Sequence, residues 1–253
     1  MSSPVSLPNV RPGRVFIGTS GWHYKPWVGP FYPEGTKAPG FLDAYKRLFS
    51  TVEINQTFYG LPKPDSVVRW REQTPPGFVF ACKMSRFITH MKKLKEPETG
   101  LGRYFGVVEH LSEKLGPILV QLPPMLGTNL DRLEGFLTAA PKQHRYTFEF
   151  RERGWFTDQT YAVLARWNAS LCLYDFDGWQ SPVDVTADWV YVRLHGPEGR
   201  YGGSYGDEAL ELWAKRIAGW SDSGRDVYCY FDNDQKGYAP NDALRLCRLL
   251  ART

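Results

Sequence analysis

The sequence predicts one α/β domain, a single (β/α)8 barrel of the TIM type behind a short, loose N-terminal arm. Three observations carry this. Eight apolar, strand-like runs recur along the chain. Segments with helical spacing of apolar residues lie between them. The 253 residues suit one barrel, and no linker or composition shift marks a second domain. Alternating strands and helices call for a parallel sheet, and eight units close it. An open doubly wound sheet is the alternative. Against it, no GxGxxG fingerprint follows the first strand and no Walker loop occurs.

The elements follow in order. Residues 1–13 are rich in proline and serine and hold no signal-peptide core, so they read as the arm, with 14–253 as the barrel. The strand runs are RVFIGTSGW (14–22), TVEINQTFYG (51–60), FVFACKMS (78–85) and PILVQLPP (117–124). RYTFEFR (145–151), ASLCLYDFD (169–177), DWVYVRLHG (188–196) and DVYCYFDND (226–234) complete the set. Helices are expected at 40–50, 64–74, 103–115, 129–139, 158–167, 207–219 and 240–251, in a repeating β-then-α order. Pro64 suits a first helical turn, Pro240 opens the last helix, and Asn129, Asp158 and Asp207 are expected N-caps.

The bulk numbers exclude several classes. No apolar run approaches membrane-spanning length. A net charge of +4 does not by itself call for a nucleic-acid partner. The four cysteines, Cys82, Cys172, Cys229 and Cys247, form no metal-like pair, and the first three sit in apolar runs. Reduced thiols and a cytoplasmic location are therefore expected. The oligomeric state is not legible.

Strand side chains alternate, and a barrel strand must turn an apolar face to its helices. Glu53, Asn55, Lys83, Gln121, Glu149, Arg151, Arg193 and His195 share the opposite, polar parity, so they are expected to point inward at the strand ends, where barrels place their chemistry. Asp175 is counted with them, and Asp232, Asn233 and Asp234 close the last strand. A self-satisfied ionic plug is the plain alternative. The functional reading is a pocket for a small anionic ligand bearing phosphate or carboxylate.

Several motifs carry a likeness to a known family. They are GTSGW (18–22), EINQTFY (53–59), FACKMSRFITH (80–90), LVQLPP (119–124), FEFRERGW (148–155), RLHG (193–196) and FDNDQKGYAPNDAL (231–244). Together they resemble the YecE-like family, known as domain of unknown function 72, over about residues 14–251. The resemblance implies a TIM barrel and no settled activity. It implies a site built from Glu53, Asn55, Lys83, His90, Gln121, Glu149, Arg151, Arg193, His195 and Asn233. The family pattern has asparagine where this chain has Asp232, which adds a charge.

Roles can be assigned as expectations. Glu149 and His195 are acid/base candidates, with Glu53 beside them; Lys83 is an amine or an anion anchor, and Arg151 and Arg193 are anchors. Asn55, Tyr59, Gln121, His90, Asn233, Trp22 and Trp155 are binding candidates. The sequence leaves room for one divalent ion held by Glu149, Asp175 and His195. Five histidines supply a multi-zinc site of the apurinic-endonuclease type poorly. A nucleic-acid-acting barrel using the basic loop 86–95, and a non-catalytic ligand-binding barrel, stay as alternatives.

Overall fold

The computed structural model describes residues 11–252. The expected arm lies almost wholly outside them. Its described end is tied down: Gly13 exchanges hydrogen bonds of 2.8 and 2.7 Å with Ser221.

Eight parallel strands form a nearly closed barrel. They are β1 (Val15–Thr19), β2 (Thr51–Ile54), β3 (Val79–Lys83), β4 (Leu115–Gln121), β5 (Tyr146–Glu149), β6 (Ser170–Phe176), β8 (Trp189–Leu194) and β9 (Asp226–Phe231). A short β7 (Trp179–Gln180) folds back antiparallel on β6. The barrel order is β1-β9-β8-β6-β5-β4-β3-β2. Between β1 and β2 the seam is irregular. The Tyr45 hydroxyl enters it, accepting from the Thr19 amide at 2.9 Å and donating to the Thr51 carbonyl at 3.0 Å. Above it Gly21 N–H donates to Glu53 C=O at 2.8 Å. Gly18 permits this approach, since a Cβ there would meet the Thr51 carbonyl oxygen at 2.5 Å.

The helices are α1 (Phe41–Tyr45), α2 (Gln56–Tyr59), α3 (Pro64–Gln73), α4 (Glu98–Val108), α5 (Leu130–Ala139), α6 (Asp158–Arg166), α7 (Asp207–Asp222) and α8 (Tyr238–Leu250). Val52, Ile54, Phe148, Leu171, Leu173, Val190 and Val192 form the outer layer against them. Ala81, Leu119, Cys172, Tyr191 and Tyr230 fill the barrel interior below its mouth.

Three expectations need correction. The β-then-α rhythm lacks a helix between β6 and β8. Gly178 and Pro182 break that stretch, and hydroxyls take over its backbone bonding. Ser181 Oγ accepts from Tyr174 N–H at 2.9 Å, and Thr186 Oγ1 accepts from Leu171 N–H at 2.8 Å. Two cap assignments also shift. Asn129 caps α5 as expected, but Thr157 caps α6 and Gly206 precedes α7, so Asp158 and Asp207 are first-turn residues. Their charge favours the positive helix end without capping it. The last helix opens at Tyr238, ahead of Pro240.

Candidate functional site

Strand alternation brings a charged network together at the C-terminal mouth. Arg193 is its centre and is only 1% exposed. Its guanidinium donates to Glu53 at 2.8, 3.0 and 3.2 Å, to Glu149 at 2.7 Å, to Asp232 at 2.8 Å and to the Ser20 hydroxyl at 3.0 Å. Glu53 also accepts from Tyr191 OH at 2.7 Å and from Ser20. Glu149 takes a second guanidinium, Arg151. Arg151 lies over two rings, 4.1 Å from the Phe176 centre and 4.9 Å from Tyr174. A buried ion set persists only when each member is matched in this way.

This geometry reassigns the acid/base roles. Burial opposes the charge of Glu149, but Arg151 and Arg193 outweigh it and hold its carboxyl well below the usual carboxylate range. It is a poor base. His195 has both ring nitrogens occupied. Nδ1 lies 2.7 Å from the Asp175 carbonyl, an acceptor, so Nδ1 carries the proton. Nε2 then accepts from Arg193 at 2.8 Å and Arg151 at 3.0 Å. Burial and the adjacent Arg193 push its pKa well down. The neutral ring fixes two guanidiniums and has no lone pair to spare.

Asp175 does not point into the barrel. On β6 the inward parity belongs to Cys172 and Tyr174. Asp175 shares the outer parity of Leu171 and Leu173, and its carboxylate accepts from the His195 amide at 2.9 Å and Tyr205 OH at 2.6 Å. Burial raises it to about 6. Glu149, Asp175 and His195 therefore do not converge. Among the described residues no group of three metal-type side chains is placed to hold an ion. The expected metal triad does not fit.

Two groups are left open. Lys83 is 9% exposed, yet its ammonium makes no hydrogen bond or ion pair among the described residues. Its charge sits 4.7 Å from the Phe58 ring centre. Burial and then Arg193 lower its pKa to about 8. Asp232 has one side-chain hydrogen-bond donor, Arg193, and is the most exposed carboxylate of the network at 11% of its side chain. Burial raises it to about 7 although Arg193 pulls the other way. The sequence placed Asp232 at the end of the last strand and marked it as a departure from a family pattern, but gave it no role.

The other candidates spread out. Asn55 stands at the N-cap position of α2 rather than continuing β2, and its Oδ1 is buried without a partner among the described residues. With Trp22 and Tyr59 it lines a separate cavity of about 1010 Å³. Tyr59 is 80% exposed. His90 pairs with Thr89 at 2.9 Å and meets the Phe58 ring edge-on, so it stands behind Lys83. Burial and then Lys83 lower its pKa to about 4. Trp155 stacks on Phe150 at 4.7 Å and donates to the Leu126 carbonyl, which makes it a core residue. Asn233 donates to Asp242 and to the Gly203 carbonyl, bracing the loop after β8. Gln121 opens toward Arg151 at the rim.

Fold and site together define a (β/α)-type barrel with a buried arginine–carboxylate network at the C-terminal ends of its strands. The sequence profile of the family described as "Protein of unknown function DUF72" matches residues 16–253, and the chain belongs to that family. UPF0759 protein YecE of Escherichia coli K12 is 32% identical over 143 residues, 56% of this chain. That match spans only half the length of YecE. UPF0759 protein YunF of Bacillus subtilis 168 is 26% identical across 93% of this chain and 94% of its own. A crystal structure of a DUF72 family protein from Thermotoga maritima MSB8 superposes with a TM-score of 0.85 at 29% identity, covering 94% of this chain and 99% of that one. A DUF72 family protein from Enterococcus faecalis V583 shares the fold at 18% identity, with a TM-score of 0.78 over 94% of this chain and 95% of its own. No helix among the described residues is long and apolar enough to cross a membrane.

Proposed function

We propose that the protein is an acid/base enzyme acting on a small anionic substrate at the barrel mouth, with Lys83 as the anion anchor and Asp232 as the proton-exchanging group. One observation carries this reading: Lys83 is largely buried and its ammonium has no hydrogen-bonding or ion-pair partner among the described residues, while the charges of Glu53, Glu149, Arg151, Arg193 and Asp232 beside it are paired. Burying such a charge unpaired costs free energy, and a ligand's anion would remove that cost. Arg193, Glu53, Glu149, Arg151 and His195 act as positioning residues.

The charge count supports it. Lys83, Arg151 and Arg193 balance Glu53, Glu149 and Asp232, with His195 neutral. If Lys83 is charged and Asp232 protonated, the site carries one excess positive charge. That state matches a monoanion and leaves Asp232 ready to give a proton. Perturbed groups with opposite shifts toward neutral pH are the usual mark of acid/base work.

The test is a thermal-shift screen of phosphates and carboxylates, followed by turnover assays on the hits. A true ligand stabilises the wild type and loses its effect in Lys83→Met. Asp232→Asn then binds the ligand but turns it over at least about a hundredfold more slowly. Turnover by Asp232→Asn at the wild-type rate would contradict the assignment.

A further inference from the structure

Beside the buried network opens a cleft of about 420 Å³, bounded by Gln121, Arg151, Arg153, Phe176, Trp179 and Arg200. Guanidiniums and rings alternate around it. Arg151 lies 4.1 Å and Arg200 5.6 Å from the centre of the Phe176 ring. Arg153 lies 5.2 Å from that of Trp179. Arginine stacked on a ring keeps its N–H fork available for an anion.

The charges around this cleft do not cancel. Arg151 is matched by Glu149. Arg200 pairs with Asp177 at 3.3 Å, but both are exposed, so a ligand can displace that contact at little cost. The Arg153 guanidinium makes no hydrogen bond or ion pair among the described residues, and neither does the Gln121 side-chain amide. One positive charge at the rim is therefore left to solvent and open to an anion. Donors from Arg153, Arg200 and Gln121 reach the opening from three elements, which suits the three terminal oxygens of a phosphate better than a flat carboxylate. Trp179 is half-buried and Tyr201 is 39% exposed, so ring surface is left for stacking. The cleft's volume lies toward the small end of the range for small-molecule sites, roughly 300–1,000 Å³.

We infer that this cleft binds a planar aromatic ring joined to a phosphate, a ligand of nucleoside monophosphate size. Arg151 belongs to both the cleft and the buried network, but the cleft's own free donors are Arg153, Arg200 and Gln121 and its lining does not include Lys83, so the inference goes beyond the anion-site reading and does not depend on it. The ring would lie at the rim on Trp179, with the phosphate between Arg153 and Arg200. The same chemistry is offered by a free nucleotide and by the phosphorylated end of a single strand.

Isothermal titration of the whole protein tests this with adenosine 5′-monophosphate, adenosine, inorganic phosphate and a 5′-phosphorylated tetranucleotide. The monophosphate is expected to bind one per chain, more tightly than adenosine or phosphate alone. Arg153→Ala and Trp179→Ala should each weaken it at least about tenfold, with unchanged melting temperature for the exposed Arg153 variant. Phosphate binding as well as the nucleotide, or neither variant weakening it, would overturn the inference. A tetranucleotide binding more than about tenfold tighter would overturn the free-nucleotide form and assign the cleft to a strand end. Lys83→Met separates this from the acid/base reading: an intact cleft binds the nucleotide in that variant whatever becomes of the chemistry.

Discussion

Lys83 and Asp232 share one predicament, burial without full compensation, and their pH behaviour follows from it. The folded pKa of Lys83 is lowered from 10.5 to about 8. The unfolded state then holds more protons between those values, so the lysine's penalty is full below about pH 8 and fades as pH rises toward 10.5. Lys83→Met is expected to stabilise the protein by about 1–3 kcal/mol at pH 7, with the gain closing by about pH 10. Asp232 has the opposite sign. Its folded pKa is raised from 3.8 to about 7, so its contribution is intact below 3.8 and is lost as pH rises through 7. Asp232→Asn should raise the melting temperature at pH 8 and not at pH 4. Scanning calorimetry of both variants across pH checks the two signs. Arg193→Met belongs to another class: it strands Glu53, Glu149 and Asp232, and should cost at least about 3–5 kcal/mol in urea unfolding.

At the scale of elements, the connection from β6 to β8 replaces a helix with side-chain hydroxyls. Thr186 both accepts from Leu171 N–H and donates to the Ala169 carbonyl, at 2.8 Å each. Thr186→Val should leave both groups buried and unsatisfied, costing about 1–3 kcal/mol by denaturant titration. The strands were legible because the apolar parity of Val52, Ile54, Phe148 and Val190 must face helices. The same rule placed Glu53, Lys83, Glu149, Arg151, Arg193 and His195 together. It failed at Asp175, where Asp175 was counted inward beside Leu171 and Leu173 although those leucines pack outward. It failed at Asn55, where β2 gives way to α2 one residue earlier. Roles were less legible than positions. No pattern reveals that both nitrogens of His195 are taken, or that the Lys83 ammonium has no hydrogen-bonding protein partner among the described residues.

For the whole molecule, the barrel is nearly closed, and the Tyr45 hydroxyl bridges its β1–β2 seam. Tyr45→Phe is expected to speed amide exchange of β1 and β2 ahead of the other strands. The network around Arg193 is already satisfied, while beside it stand the unpaired Lys83 ammonium and, in Asp232, a carboxyl near its titration point. Anion binding should raise both pKa values, so it should take up protons near pH 7–8, which calorimetry in buffers of different ionisation enthalpy would detect.

The most direct measurement is the pKa of the Lys83 ammonium, read by pH-dependent amine labelling and peptide mass spectrometry. The expected midpoint is about 8, moving upward when an anionic ligand binds. A midpoint near the ordinary lysine value of about 10.4, unmoved by any anion, would contradict it.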